Sequence, residues 1–193
     1  DLLSSAETAW QYIQDNPGYS NYNNSGFESA NPERTEYDQK IQELTAAYFL
    51  YNATDNADLL DMFEANINTF HALEWSYWYS FEYIYQRVLV DYCQHPDADP
   101  DKVQTIINSF KTSMQGDEFI TALFNETDGY RAYMKDQDYV WGSNRGKSHL
   151  GCLFQDYAKV EDNESVKMMA QKAAEDYLHF LNGVNAHGIV MLS

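Results

Sequence analysis

The chain has 193 residues, with 12 Lys and Arg against 30 Asp and Glu, which gives a formal charge of −18 and a pI near 4.3. This negative charge argues against nucleic acid or an anionic membrane surface as a partner, because both are polyanions. Hydrophobic residues form 44% of the chain and aromatic residues 16%, which excludes a disordered acidic tail, and no apolar run approaches the roughly 20 residues that span a bilayer.

Apolar residues recur at helical spacing along most of the chain, and no stretch alternates as a half-buried strand does. The pattern predicts an all-α protein with about seven helices. The predicted helices cover residues 3–15, 37–51, 59–70, 78–93, 99–114, 147–160 and 166–181.

The boundaries of these helices are signalled by capping residues. Asp99 is a good N-cap, Pro100 suits the first helical position, and Asp101 places negative charge at the positive end of the helix dipole. The acidic turn at residues 52–56 joins two helices into a predicted hairpin. Two long polar loops, residues 16–34 and 116–139, remain between helices, and we expect any binding site there, since long loops in compact domains are usually functional or flexible.

The metal-ligating residue types give only a weak pattern. Cys93 and His95 form one pair, and His149 and Cys152 form another that shares a helix face, so four zinc-compatible ligands are present. Their separation matches no finger or ribbon spacing, and two buried thiols with unrelated histidines are the favoured interpretation. Gly-rich phosphate loops are absent as well, so the sequence predicts neither a metal nor a cofactor.

Two segments near the C-terminal end carry a family resemblance. Residues 139–145 read Tyr-Val-Trp-Gly-Ser-Asn-Arg and open a predicted helix, while residues 177–188 read Tyr-Leu-His-Phe-Leu-Asn-Gly-Val-Asn-Ala-His-Gly and close the next. Both resemble signature stretches of the family 9 glycoside hydrolases, in the same order and at a similar separation. Residues 16–19 and the helix ending at residues 51–55 resemble two further landmarks, so the resemblance touches most of the chain.

The resemblance implies antiparallel helical hairpins that form part of an (α/α)6 barrel, with residues 1–193 as a single partial domain from its middle. It implies an inverting glycosidase that acts on β-1,4-linked glucose or glucosamine oligosaccharides or polysaccharides, with no cofactor. The rest of the barrel would be the partner, and the location would be secreted or periplasmic, with cytoplasmic as the alternative. Ala186 replaces the usual Pro of the family, and Asn144 and Gly146 replace commoner apolar residues, which leaves glucose and glucosamine both open.

The family's catalytic base and acid belong to motifs that we do not find in residues 1–193, so we expect this segment to lack them. Two pairs of acids in the segment are candidates for a catalytic carboxylate pair, namely Asp136 with Asp138 and Asp117 with Glu118. The favoured interpretation is that these acids lie in solvated loops. The resemblance points instead to sugar-binding side chains. The predicted substrate-binding residues are Trp141, Arg145, Tyr139, Trp75 and Trp78.

These residue types suit a sugar site. A flat indole stacks on a pyranose face, and a guanidinium binds two hydroxyls or a carboxylate. Arg145 would share a helix face with Trp141 if the first turn begins at Trp141 or Gly142. Trp75 and Trp78 belong to the densest aromatic cluster, for which core packing is the competing interpretation. A noncatalytic helical toroid that binds carbohydrate or protein is the alternative function.

Overall fold

A computed structural model of the protein describes residues 1–19 and 35–191, so most of the predicted 16–34 loop lies outside the described part. The described residues contain helices and one isolated bridge between Asn182 and Val190, and no β-strand. This confirms the predicted all-α fold. No helix among these residues has the length and apolar character needed to cross a membrane. The chain divides into two compact units, Asp1–Phe70 and His71–Ser193.

The described residues of the first unit, 1–19 and 35–70, form three α-helices and a 3₁₀ turn. Thr35 begins the second helix with a capping box, in which its hydroxyl accepts from the Asp38 amide at 3.1 Å while the Asp38 carboxylate accepts from the Thr35 amide at 2.9 Å. Tyr48 and Phe63 pack against each other with ring centroids 5.1 Å apart. The predicted hairpin is therefore present, joined at Asp55 and Asn56. The elements are α1 (Leu2–Asp15), α2 (Glu36–Thr54), α3 (Ala57–Ala65) and the 3₁₀ turn Ile67–Thr69.

The second unit contains the remaining helices and both signature segments. Asp99 caps α6 as predicted, accepting from the Asp101 amide at 2.8 Å and the Lys102 amide at 3.3 Å. The α-helices are α4 (His71–Glu74), α5 (Tyr83–Cys93), α6 (Pro100–Met114), α7 (Ile120–Phe124), α8 (Ser143–Val160) and α9 (Glu164–Leu181), with 3₁₀ turns at Ser80–Glu82 and Asp136–Asp138.

Three predictions of element boundaries are corrected. The helix predicted at residues 78–93 starts later than expected. Residues 78 and 79 are not helical, a 3₁₀ turn follows, and α5 begins only at Tyr83. The helix predicted from residue 147 begins at Ser143, because Gly142 adopts a φ of 79° and turns the chain into it. The predicted loop 116–139 contains α7, whose Ile120, Ala122 and Leu123 are buried. Burial of these apolar side chains thus stabilises a short helix although the neighbouring Gly and Asp residues disfavour one.

The core of the second unit forms where α8 packs against α5, α6 and α9. Phe154 and Tyr177 stack with centroids 5.7 Å apart, and Phe110 meets Tyr157 edge to face at 5.5 Å. The helical spacing of apolar residues predicts that six residues of α6 and α9 face inward, and of these three are buried and three are half-buried. The buried ones are Ile106, Phe110 and Ala173, and the half-buried ones are Val103, Met169 and Phe180.

Gly151 sets the closest approach of α8 to α9. A Cβ added there would lie 2.9 Å from the Tyr177 Cβ, closer than real Cβ atoms approach. We expect Gly151→Ala to lower the free energy of unfolding by about 1–2 kcal/mol, since overpacking costs about 1–3 kcal/mol and Ala returns up to about 1 kcal/mol of helix propensity. Urea denaturation measures the change.

Gly146 is the matched control in the same helix. Its added Cβ would meet the Met134 sulfur at 3.4 Å, and a flexible methionine can move away. Gly146→Ala should therefore be neutral or slightly stabilising. Equal losses in the two variants would contradict the close-packing argument.

Candidate functional site

The hairpin of α8 and α9 brings the two signature segments together. Residues 161–163 connect the helices, so the first turn of α8 lies beside the turn that follows α9. A cleft of about 440 Å³ opens there, which we call the α8–α9 cleft. It is lined by Asp128, Tyr130, Tyr139, Ser143, Asn144, Lys147, Phe180, Asn185, Ala186, His187 and Met191.

Lys147 is buried beneath this cleft, with only 1% of its surface exposed. Its Nζ donates a hydrogen bond to the Ala132 carbonyl and lies 4.1 Å from the Phe180 ring centroid and 5.1 Å from that of Tyr139. Burial lowers the pKa of the Lys147 ammonium from 10.5 to about 8, and the charge of Asp128 partly opposes this shift. A buried cation is thus held between two aromatic rings.

Residues 128–142, which we call the aromatic segment, are held in place at several positions. The Arg131 Nε donates to the Asp176 carboxylate of α9 at 3.0 Å. The Tyr177 hydroxyl donates to the Tyr133 carbonyl, and the buried ring keeps the pKa of that hydroxyl above its usual value. At the start of the segment, the Asp128 carboxylate accepts from the Tyr130 and Ala132 amides, each at 3.1 Å.

A second cluster holds the middle of the aromatic segment. The Lys135 Nζ lies 2.7 Å from the Glu118 carboxylate, which also accepts a hydrogen bond from the Tyr77 hydroxyl. Burial and the Glu118 charge raise the pKa of Tyr77. Burial also raises the pKa of Asp138, with Glu118 adding to the shift. The segment therefore has a fixed path although it contains little regular structure.

Asn185 shapes the opposite wall of the α8–α9 cleft. Its side-chain amide donates to the Phe180 carbonyl at 2.7 Å and the Ile189 carbonyl at 2.8 Å, and its oxygen accepts from the His187 amide at 3.1 Å. These bonds fold the chain into a tight turn after α9. The turn leaves His187 exposed at the cleft.

The predicted sugar-binding residues have different environments. Tyr139 lines the cleft and is half-exposed. Trp141 is 92% exposed and precedes the helix, so it lies next to the cleft in sequence without lining it. Arg145 is exposed but does not line the cleft. It lies about 100° of helical rotation beyond Asn144, on the same face of α8 as His149. The charge of Arg145 helps to lower the pKa of His149. Because α8 begins at Ser143, the expected shared face of Trp141 and Arg145 does not form.

The aromatic cluster that contains the other two predicted residues is divided between surface and core. Trp75 keeps 53% of its surface exposed and stacks on His71, with ring centroids 3.4 Å apart. Trp78 has no exposed surface and stacks on Phe110 at 3.9 Å. The prediction of Trp78 as a sugar-binding residue is therefore wrong, because a covered indole offers no face to a sugar.

Comparison with known protein families identifies the family of this chain. The model of glycosyl hydrolase family 9 matches residues 1–193, the whole chain. The chain belongs to glycosyl hydrolase family 9. Comparisons with curated proteins and with solved structures found no significant match. The all-α content agrees with the (α/α)6 barrel of the family, and the family assigns the chain to the glycoside hydrolases.

Family 9 chemistry needs carboxylates, and two acids of the second unit, Glu118 and Asp128, have structural partners. Glu118 is bonded to Tyr77 and Lys135 rather than solvated, while Asp117 and Asp136 are exposed. Asp128, the carboxylate that lines the cleft, uses both oxygens for backbone amides. The carboxylates described around the cleft thus serve to fix the chain.

The residues considered for zinc have other roles. The His149 Nδ1 donates to the Ser80 carbonyl at 2.6 Å, and burial raises the pKa of the Cys93 thiol to about 12. Within residues 1–19 and 35–191, no group of three or more His, Cys, Asp or Glu could hold a metal ion. A protonated thiol is a poor metal ligand.

Sequence reasoning missed Lys147 in this family 9 chain, although a signal was present. Lys147 precedes Leu150 by three residues and Phe154 by seven, so it occupies the buried stripe of α8. A lysine at such a position is either paired or functional. The sequence did not show which groups would surround it.

Lys147 makes stability depend on pH. Below pH 8 both the folded and the unfolded chain hold its proton, whereas between pH 8 and 10.5 only the unfolded chain does, so its contribution to stability rises with pH. We expect the free energy of unfolding to rise by about 2–3 kcal/mol by pH 10, relative to Lys147→Met. Urea denaturation at pH 7, 8, 9 and 10 measures the difference, in which the contributions of Cys93 and the tyrosines cancel. Parallel curves for the two proteins would contradict the buried charge.

Proposed function

We propose that this family 9 chain binds β-1,4-linked oligosaccharides or polysaccharides of glucose or glucosamine in the α8–α9 cleft, as part of an inverting hydrolase. One observation carries the proposal: both signature segments contribute to the same cleft. The first supplies Tyr139, Ser143 and Asn144, and the second supplies Asn185 to His187. The family relation also favours a secreted or periplasmic location.

The chemistry of the cleft wall suits a neutral or cationic sugar. The half-exposed ring of Tyr139 and the exposed indole of Trp141 are suited to stacking on pyranose faces. Ser143, Asn144 and His187 offer hydroxyl, amide and imidazole groups for hydrogen bonds to sugar hydroxyls. The formal charge of −18 disfavours an acidic sugar and is compatible with glucose or glucosamine units.

The acid and base of the reaction are proposed to come from other parts of the barrel. Inversion needs one protonated and one ionised carboxylate, about 6.5–9.5 Å apart, with room for a water. Asp128 is bound to backbone amides, which disfavours a role in proton transfer. The rest of its own catalytic barrel is therefore the proposed partner of this chain.

We expect the chain of residues 1–193 to bind oligosaccharides without hydrolysing them. Binding is measured by the change in tryptophan fluorescence on titration with cello-oligosaccharides and with glucosamine oligomers, and hydrolysis by release of reducing ends. Buffer without sugar and an α-linked glucan of matched length serve as controls. Hydrolysis well above background by this chain would contradict the proposed source of the acid and base, and absence of binding would contradict the proposed cleft.

The engaged state of Asp128 also favours the second candidate, a noncatalytic carbohydrate-binding module. The two functions differ in one measurable outcome. A protein that joins this chain to the Asp-rich and Glu-bearing regions of the family should hydrolyse the bound oligosaccharide if the chain belongs to a hydrolase. It should bind without hydrolysis if the chain is a binding module.

A further inference from the structure

Lys147 connects three parts of the second unit that carry the cleft. It belongs to α8, its Nζ bonds to the Ala132 carbonyl of the aromatic segment, and it lies over the Phe180 ring of α9. It also lies 5.1 Å from the ring centroid of Tyr139, which lines the cleft. We propose that Lys147 is a positioning residue that fixes the aromatic segment and so places Tyr139 and Trp141 for a sugar ring.

The burial of Lys147 distinguishes it from the sugar-contacting residues. With 1% of its surface exposed, it is covered by the groups it holds and acts through them. A side chain of this length in the apolar stripe of a helix could be replaced by methionine at similar volume. The retained ammonium therefore contributes what methionine lacks, which is a hydrogen bond to the segment and attraction to the faces of two rings.

The other bonds to the aromatic segment hold it at positions other than Tyr139, which Lys147 contacts. Arg131 and Tyr133 are held to α9 through Asp176 and Tyr177, and Lys135 is held through Glu118. These positions precede Tyr139 and Trp141 in the segment. Lys147 is the described side chain that contacts both the Ala132 carbonyl and the ring of Tyr139.

The first test of this inference does not depend on sugar binding. Hydrogen exchange of residues 128–142 is compared between wild type and Lys147→Met at pH 7, with the α8 and α9 amides as the internal reference. We expect exchange in the segment to speed up about tenfold or more while the central amides of α9 stay protected. Unchanged exchange in the segment would overturn the inference. Lys167→Met is the matched control, because that lysine pairs with Glu164 within α9 and has no bond to the segment or to the residues that hold it.

The second test rests on the proposed function. It distinguishes a failure of the positioning role of Lys147 from a failure of the proposed sugar binding. Affinity for a cello-oligosaccharide should fall about tenfold in Lys147→Met, although Tyr139 and Trp141 are unchanged. Faster exchange with equal affinity in both proteins would overturn the positioning role. Faster exchange in Lys147→Met, together with a wild type that binds neither cello-oligosaccharides nor glucosamine oligomers, would instead overturn the proposed sugar and would leave the fixing of the segment supported.

A pH profile separates positioning by the charge from a merely structural role. The titratable groups around Lys147 are Asp128, Tyr130 and Tyr139 in the aromatic segment and His187 after α9. Wild-type affinity should decline between pH 7 and 9 as the ammonium is lost, and Lys147→Met should lack this step. Because the variant retains Asp128, Tyr130, Tyr139 and His187, only the difference is assigned to Lys147. Identical profiles would overturn a role for the charge.

Discussion

Trp78→Ala is expected to lower the free energy of unfolding by about 3–5 kcal/mol, a large part of the roughly 5–15 kcal/mol that stabilises a typical domain. The indole has no exposed surface and stacks on Phe110 at 3.9 Å. Its Nε1 donates to the Ser109 hydroxyl at 3.3 Å, and its backbone amide donates to the Ser113 hydroxyl at 2.8 Å. Truncation would leave a cavity and would remove the hydrogen bond that the Ser109 hydroxyl accepts, although this hydroxyl would still donate to the Ala72 carbonyl. Urea denaturation measures the loss.

Two further variants make this expectation specific. Trp78→Phe keeps a ring against Phe110 and should cost clearly less than Trp78→Ala. Trp141→Ala removes an indole that is 92% exposed and should change stability by no more than about 0.5 kcal/mol. If Trp78→Ala were as mild as Trp141→Ala, the indole of Trp78 would not be part of the core.

Trp141→Ala should have its large effect on sugar affinity instead. Aromatic stacking on flat ligand rings is worth about 1–3 kcal/mol by alanine substitution in nucleic-acid sites, and a pyranose face offers a comparable surface. This predicts a dissociation constant about 5- to 150-fold higher for a cello-oligosaccharide or a glucosamine oligomer. Calorimetric titration of wild type and variant measures it, since the fluorescence of Trp141 itself is lost.

Arg145→Ala is the informative comparison for Trp141→Ala. The sequence predicted a guanidinium contact worth about 1.5–3 kcal/mol, but Arg145 lies on the α8 face of His149 rather than at the cleft. We therefore expect a smaller loss than for Trp141→Ala. A larger loss in Arg145→Ala, with Trp141→Ala unchanged, would reverse the assignment and place the sugar on the other face of α8.

Local signals predicted the helices well and the site poorly, for a physical reason. The α6 helix was predicted at residues 99–114 and found at Pro100–Met114, because its cap and its apolar stripe are both local in sequence. Trp75 and Trp78 differ by three positions and share one residue type, so only tertiary packing decides which is covered. That information is not contained in their spacing.

The cleft itself depends on distant partners that no local pattern reports. The family resemblance identified both signature segments, yet it did not indicate that residue 147 would contact Ala132, Tyr139 and Phe180. Glu118 was likewise predicted to lie in a solvated loop, but its carboxylate pairs with Lys135 and keeps only 11% of its side-chain surface exposed. Contacts of this kind arise only when the hairpin has formed.

The equal lengths of α8 and α9, 18 residues each, set the register of the cleft. Because the helices run in opposite directions from the turn at residues 161–163, their matched lengths bring residue 143 level with residue 181. One residue inserted into either helix would advance its far end by about 1.5 Å and rotate it by about 100°. The lengths of the two helices thus fix the relative position of the helix ends that form the cleft. In related chains we expect insertions and deletions in the turn at residues 161–163, or paired changes of length in both helices.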